Sequence, residues 1–328
     1  MVGRKSLSEI RDSSTKDLIA GLRERRFSLL KSLGFRKLRA GMIITGFICR
    51  LIVFFTGLRG AVRRAGPGGM RYNDPARKHV AKLLQIVAPV DRYGVFPHPD
   101  GGMVIGFNHP SLGEILRFIY ICIVDYKYQH NLFPVNLPWY EALMPIVNEL
   151  EAIGIFITPI ITPSTRSKMA KTADKETLEV IDGLAKGFNM RYLETCVEFI
   201  KDRNNIWIAP SATRQASVFK TMEMFNGSDP IKPQTMTLVA TSLVRAKVEE
   251  CTFLVTCVIP PSNFGRGLNL FREYKIGVGS TLTMQDAADN IRKRCERNNG
   301  RKFEEMFLME ISHALIKYGG SRLICPDA

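Results

Sequence analysis

The sequence predicts an α/β fold, a mostly parallel central sheet flanked by helices on both faces, and three observations point to it. Short apolar runs alternate along the chain with longer segments of helical periodicity. The runs are continuous rather than alternating apolar with polar, as expected for strands buried on both faces. The chain, at 328 residues and 37.0 kDa, is long enough for a full α/β core with a helical N-terminal appendage.

The appendage comes first. From Lys16 to Arg39, Leu18, Ile19, Leu22, Phe27, Leu29, Leu30 and Leu33 are interleaved with eight Lys and Arg residues, which reads as a basic amphipathic helix. Ala40 to Leu58 is apolar except for Arg50. Its length reaches the lower limit for crossing a bilayer, but the central charge and basic flanks favour a helix lying in the interface. Residues 1–65 are therefore expected to form a membrane-associating region, the alternative being a helical pair packed on the next domain with its arginines in water. Gly66-Pro67-Gly68-Gly69 breaks any helix and marks the start of an α/β domain over residues 66–328.

Within that domain Pro75 to Val90 reads as a helix, and Met103-Val104-Ile105-Gly106-Phe107 as a buried strand. A helix over Glu114 to Tyr128, an extended Asn131 to Asn136 and a helix over Trp139 to Ile153 follow. Next come a strand, Gly154-Ile155-Phe156-Ile157, a polar helical region from Pro163 to Arg203 and a strand at Ile206 to Ala209. A helix from Gln234 to Glu249 leads to the strongest β run, Thr252 to Ile259, stopped by Pro260-Pro261. Tyr274 to Val278 adds a strand, and helices over Met284 to Arg297 and Lys302 to Tyr318 close the sequence.

A net charge of +15 and a pI near 9.6 imply an anionic partner: nucleic acid, a membrane surface, or phosphorylated substrates. No reading module or interleaved basic and aromatic surface supports nucleic acid. The 7 cysteines are scattered, mostly within apolar runs and without a C-x-x-C, so they are expected to be reduced and buried. None of the 5 histidines stands at ligand spacing from another, and no metal site is expected. Residues 1–20 lack the apolar core of a secretory signal.

The chemistry concentrates in Asn108-His109-Pro110-Ser111-Leu112-Gly113-Glu114, where a strand hands over to a helix. Ser111 and Glu114 fit a capping box, and this alone would explain both. It leaves His109 unexplained. An imidazole at a helix N-terminus has its neutral form favoured, and a carboxylate beside it fixes the tautomer and stabilises the imidazolium. That is the pairing of a general base and its orienting partner.

This block resembles the catalytic His-x4-Asp block of the glycerolipid acyltransferase superfamily, which includes glycerol-3-phosphate and 1-acylglycerol-3-phosphate acyltransferases. Gly154-Ile155-Phe156-Ile157 is similar to its second block. Pro210-Ser211-Ala212-Thr213-Arg214 resembles the third, usually Pro-Glu-Gly-Thr-Arg, and Val258-Ile259-Pro260-Pro261 the fourth. Ile206 to Arg214 is closest to the soluble plastid-type glycerol-3-phosphate acyltransferases, which carry Ala-Pro-Ser-Gly-Gly-Arg there. The resemblance covers about residues 75 to 265 and implies transfer of a fatty acyl group from acyl-CoA or acyl carrier protein to a hydroxyl of glycerol-3-phosphate or a lysophospholipid. It implies no cofactor beyond that co-substrate, no acyl-enzyme and no metal.

Carried over position by position, His109 is the base, Glu114 its partner and Arg214 a contact for the acceptor's phosphate. Ser211, Thr213 and Asn108 are further substrate-binding candidates. Three departures stand out. Glu114 replaces the usual Asp, as in lipid A and mycobacterial glycolipid acyltransferases; Ser211 and Ala212 replace Glu and Gly; and Thr158-Pro159 stands where arginines usually close the second block. A second phosphate cation would then come from elsewhere, Arg166 or Lys168, unless these are solvated helix charges. Phe107, Trp139, Phe156 and Trp207 are available to line an acyl slot or to form plain core. The expected protein is a peripheral or monotopic enzyme on the cytoplasmic face of an anionic membrane. A glycolipid acceptor, or a non-catalytic lipid-binding role on the same fold, are the alternatives.

Overall fold

Gly102–Phe107 is buried at every position and forms strand β2, the centre around which the larger part of the molecule is built. Such a strand has no face for water, so it belongs inside a sheet covered on both sides. In the computed structural model the described residues are 46–48, 50–51, 53–55, 57, 59–60, 74–126, 129–143, 146–170, 175–210, 235–262, 264, 269–296 and 303–320. Among them, the strands are β1 (Val90–Tyr93), β2, β3 (Asn131–Asn136), β4 (Ile155–Ile160), β5 (Asn205–Ile208), β6 (Cys251–Ile259) and β7 (Tyr274–Thr283). They make one 7-stranded sheet in the order β1-β7-β6-β2-β5-β3-β4. β2 runs parallel to β5 and β6, β5 to β3, and β1 to β7, while β6 and β7 are antiparallel. The fold is α/β with a mostly parallel sheet.

The helices are α1 (Asp74–Val87), α2 (Gly113–Val124), α3 (Leu137–Leu143), α4 (Val147–Ala152), α5 (Pro163–Ala170), α6 (Lys175–Lys201), α7 (Thr235–Arg245), α8 (Met284–Glu296) and α9 (Phe303–Lys317). Two compact units share these elements. The larger includes Cys49–Pro134, Pro145–Thr158 and Leu193–Ala328; the smaller includes Val135–Met144 and Pro159–Tyr192.

The core of the larger unit is aromatic. Phe118 of α2 lies 4.5 Å from Phe107 and 4.8 Å from Trp207, ring centre to ring centre, and Phe133 stacks on Trp207 at 5.6 Å. Trp207 Nε1 donates to Asn131 Oδ1 at 3.0 Å, so its buried polar edge is satisfied. Phe107 and Trp207 are thereby core residues. Across the sheet α9 lies against β2, where a Cβ on Gly106 would come within 2.3 Å of the Phe307 ring. Glycine at 106 is what lets that helix sit so close. In the smaller unit, Leu137, Ile161, Ala185 and Phe188 form the core, and the Asn189 carboxamide brackets Ile161, bonding both its N–H and its carbonyl at 3.1 Å.

Several expected elements change shape. The helix beginning at Glu114 stops at Val124 rather than Tyr128. The helix expected over Trp139 to Ile153 is two, α3 and α4, whereas the polar helical region from Pro163 to Arg203 holds α5 and α6 as expected of it. β1 is an unforeseen strand because Val-Asp-Arg-Tyr is short and half polar. β7 runs to Thr283, past the glycines that end its apolar pattern. β4 continues through Pro159 to Ile160; a proline is tolerated because β4 is the last strand of the sheet and owes hydrogen bonds on one side only. Gly154, just before it, has φ +83°, the left-handed turn that ends α4.

The basic segment 16–39 and the glycine boundary at 66–69 lie outside the described residues. Among those described, no helix is long and apolar enough to cross a membrane. Arg59 donates from Nε to Glu149 at 2.9 Å, tying the end of the apolar segment to α4, while Phe54 and Phe55 stand exposed beside exposed Arg50.

Candidate active site

Parallel strands carry their carboxyl ends to one edge of a sheet, and that is where open α/β folds collect their functional groups. Gly106 pairs with Ile208 of β5 on one side and Val255 of β6 on the other. The segments leaving β2, β5 and β6 are the first, third and fourth sequence blocks, so three stretches far apart in sequence leave neighbouring strands at the same edge. Asn108 locks two of them together. One step past the last ladder pair, Phe107 with Thr256, its Nδ2 donates to the Val258 carbonyl at 2.8 Å and its Oδ1 accepts the Val258 N–H at 2.7 Å. Both ends of that carboxamide are spent on backbone, which makes Asn108 a brace for the strand ends.

His109 comes next, and its Nδ1 is hydrogen-bonded to Glu114 Oε1. The Glu114 side chain is 0% exposed and the imidazole 19%, so the carboxylate is sealed while the ring keeps an open edge. With Nδ1 donating to Glu114, Nε2 is left as the nitrogen that accepts a proton.

The capping box expected of Ser111 and Glu114 does not form. The helix is capped by Leu112 with no side-chain bond, and Ser111 Oγ accepts the Gly113 N–H at 2.9 Å. Glu114 turns toward His109 and Ser111 instead of back to the N-cap amide, because a buried carboxylate is better served by two side-chain donors than by a single backbone amide. Ser111 Oγ donates to Glu114 Oε2 at 2.9 Å and lies 2.7 Å from the Tyr274 hydroxyl, 163 residues away. Asn269 Nδ2 donates to that hydroxyl at 2.8 Å. Behind the cluster Arg117 is fully buried, its guanidinium 4.3 Å from the centre of the Tyr274 ring. It donates to the carbonyls of Gly113 (2.7 Å), Asn269 (2.9 Å) and Arg272 (2.6 Å). Burial lowers its pKa to about 10, against the attraction of Tyr274 and Glu114, so it remains charged at neutral pH. Burial also raises Tyr274 above the ordinary phenol value and keeps its proton in place.

No protein-family model and no curated protein sequence matches this chain. Its functional reading therefore stands on the motifs and on this geometry.

The other candidates separate. Ser211, Thr213 and Arg214 lie outside the described residues, although β5 leads toward them. Arg166 belongs to the smaller unit, where it pairs through Nε and Nη2 with the exposed Asp182, the second contact at 2.6 Å. That hydrogen bond raises Arg166 and lowers Asp182. Lys168 lies on α5, and its side chain is outside the described set. Cys122, Cys196, Cys251 and Cys257 are buried thiols that form no disulfide, and desolvation raises Cys251 and Cys257 to about 12, which makes them poor nucleophiles.

Sequence reasoning missed Arg117, Tyr274 and Asn269. Arg117 left a signal, a lone cation in the otherwise apolar helix Gly-Glu-Ile-Leu-Arg-Phe-Ile. Tyr274 and Asn269 left none.

Proposed function

We propose that this protein is an O-acyltransferase that moves a fatty acyl group from a thioester of coenzyme A or acyl carrier protein to a lipid-precursor hydroxyl. His109 Nε2 takes the hydroxyl proton as the oxygen attacks the thioester carbonyl, and Glu114 stabilises the imidazolium. Collapse of the tetrahedral intermediate forms the ester and breaks the C–S bond. His109 then returns the proton to the leaving thiolate, so the base is regenerated. Of the amides at the helix start, that of Gly113 is spent on Ser111, and an oxyanion would draw on its neighbours.

The observation that supports this reading is the partly exposed His109 on a sealed Glu114 at the edge shared by β2, β5 and β6. Glycerol-3-phosphate or a lysophospholipid is the proposed acceptor, with Arg214 gripping phosphate. A glycolipid acceptor is favoured by a separate observation: β4 carries Thr158-Pro159 as plain strand where cations would be needed, and Arg166 is already paired with Asp182. The test is labelled acyl thioester supplied with each acceptor in turn. His109→Ala should lower turnover by about 10³-fold with an unchanged melting curve; undiminished transfer by that variant would remove the base from the mechanism.

The enzyme is also proposed to sit on the cytoplasmic face of an anionic membrane through residues 1–65. Exposed Phe54 and Phe55, 5.6 Å apart beside Arg50, fit an interfacial helix. Deleting residues 1–65 should abolish co-flotation with anionic vesicles, whereas retention would assign the contact to the α/β domain.

A further inference from the structure

Glu114 is an acceptor on both oxygens, and this fixes the direction of every hydrogen bond behind it. Ser111 must give its one proton to Glu114 Oε2, so its lone pairs are left to accept from the Gly113 N–H and from the Tyr274 O–H. Tyr274, having committed its proton to Ser111, can only accept from Asn269 Nδ2. The result is a one-way chain, Asn269 to Tyr274 to Ser111 to Glu114, with every member satisfied. Such chains strengthen each other's bonds in a buried setting. Arg117 holds the chain in place: it lies over the Tyr274 ring and bonds the carbonyl of Asn269 at one end and that of Gly113 at the other. Besides His109, Arg117 and Tyr274 are titratable groups among the described residues that interact with Glu114.

We propose that Ser111 and Tyr274 are positioning residues that aim the Glu114 carboxylate at His109 Nδ1 and so hold the imidazole in the Nδ1–H tautomer, leaving Nε2 basic. This rests on the reading of His109 as the base, and it extends the His109–Glu114 pair into a relay reaching a strand that none of the four sequence blocks includes. Without the Ser111 donor, the sealed Glu114 Oε2 loses that hydrogen bond, and the carboxylate can rotate off Nδ1.

The test uses the full chain with labelled histidine and reads the His109 tautomer by nitrogen NMR, alongside acyl transfer. In the unaltered protein the Nδ1–H form should dominate. Ser111→Ala should bring in the Nε2–H form and lower kcat by about 10²-fold with KM unchanged, and Ser111→Thr, which keeps the hydroxyl, should restore both. Tyr274→Phe keeps the ring under Arg117 and removes only the hydroxyl, so its effect should be smaller, about threefold in kcat. This variant keeps the proposal open to refutation if Ser111→Ala does not fold. A tautomer unchanged in Ser111→Ala, or in Tyr274→Phe where Ser111→Ala does not fold, overturns the relay. A tautomer that shifts in a protein with no acyl transfer to any acceptor leaves the relay standing and overturns the acyltransferase reading.

Discussion

Two ion-pair-like contacts in this molecule differ in everything that matters for chemistry. In the smaller unit Arg166 and Asp182 meet with side chains 50% and 41% exposed. In the larger, His109 and Glu114 meet with 19% and 0%. The first pair is solvated on both sides, and water screens it and competes for each partner. The second is backed by Ser111, Tyr274 and Arg117, each with its own partners, so a carboxylate that burial would otherwise penalise is held by directed donors. A charge becomes a candidate functional group when the surrounding fold is arranged around it; a pairing partner alone does not make it one.

That contrast can be broken at several points. Glu114→Gln conserves shape but loses the charge that stabilises the imidazolium, and turnover should fall by on the order of 10³-fold, measured as acyl transfer at saturating acceptor. A fall below tenfold would put Glu114 on the level of Asp182. Arg117→Met removes a buried cation whose guanidinium ties the carbonyls of Gly113, Asn269 and Arg272, and should cost roughly 3 kcal/mol in urea unfolding.

A milder case is the start of α8. Thr283 Oγ1 and N–H both bond Asp286 at 2.7 Å, and the Asp286 N–H returns to Thr283 Oγ1 at 3.1 Å, a reciprocal cap on an exposed helix end. Thr283→Ala should cost about 1 kcal/mol. The Thr283 backbone N–H, then its hydroxyl, hold the Asp286 carboxyl below its ordinary value. The stability it adds is therefore full above the ordinary carboxylate range and lost as the pH falls through the lowered value, so the gap between variant and parent should narrow below about pH 4. At the bottom of the scale, Arg166→Met should leave both the urea midpoint and acyl transfer where they were. A clear loss of transfer would return Arg166 to the substrate site.

The sheet's centre was legible because β2, β5 and β6 are apolar runs that no other element accommodates at that length. The His109 to Glu114 contact was legible because it is local. The break between α3 and α4 was not, since helical periodicity carries across an interruption without showing it. Ser111 was legible only as a residue that bonds near a helix start; whether it serves the backbone or a carboxylate depends on what faces it, and that is Tyr274 on a strand whose glycines weakened its own signal. Long-range polar partners obey no spacing rule.

The Asn108 carboxamide imitates a peptide group and takes over the pairing of β6 at the point where the main chain turns away. Aspartate there would present two acceptors to a carbonyl that needs a donor, and leucine would present neither. The sheet therefore finishes its pairing through a side chain, which frees the backbone to carry the imidazole outward instead of continuing along the strand.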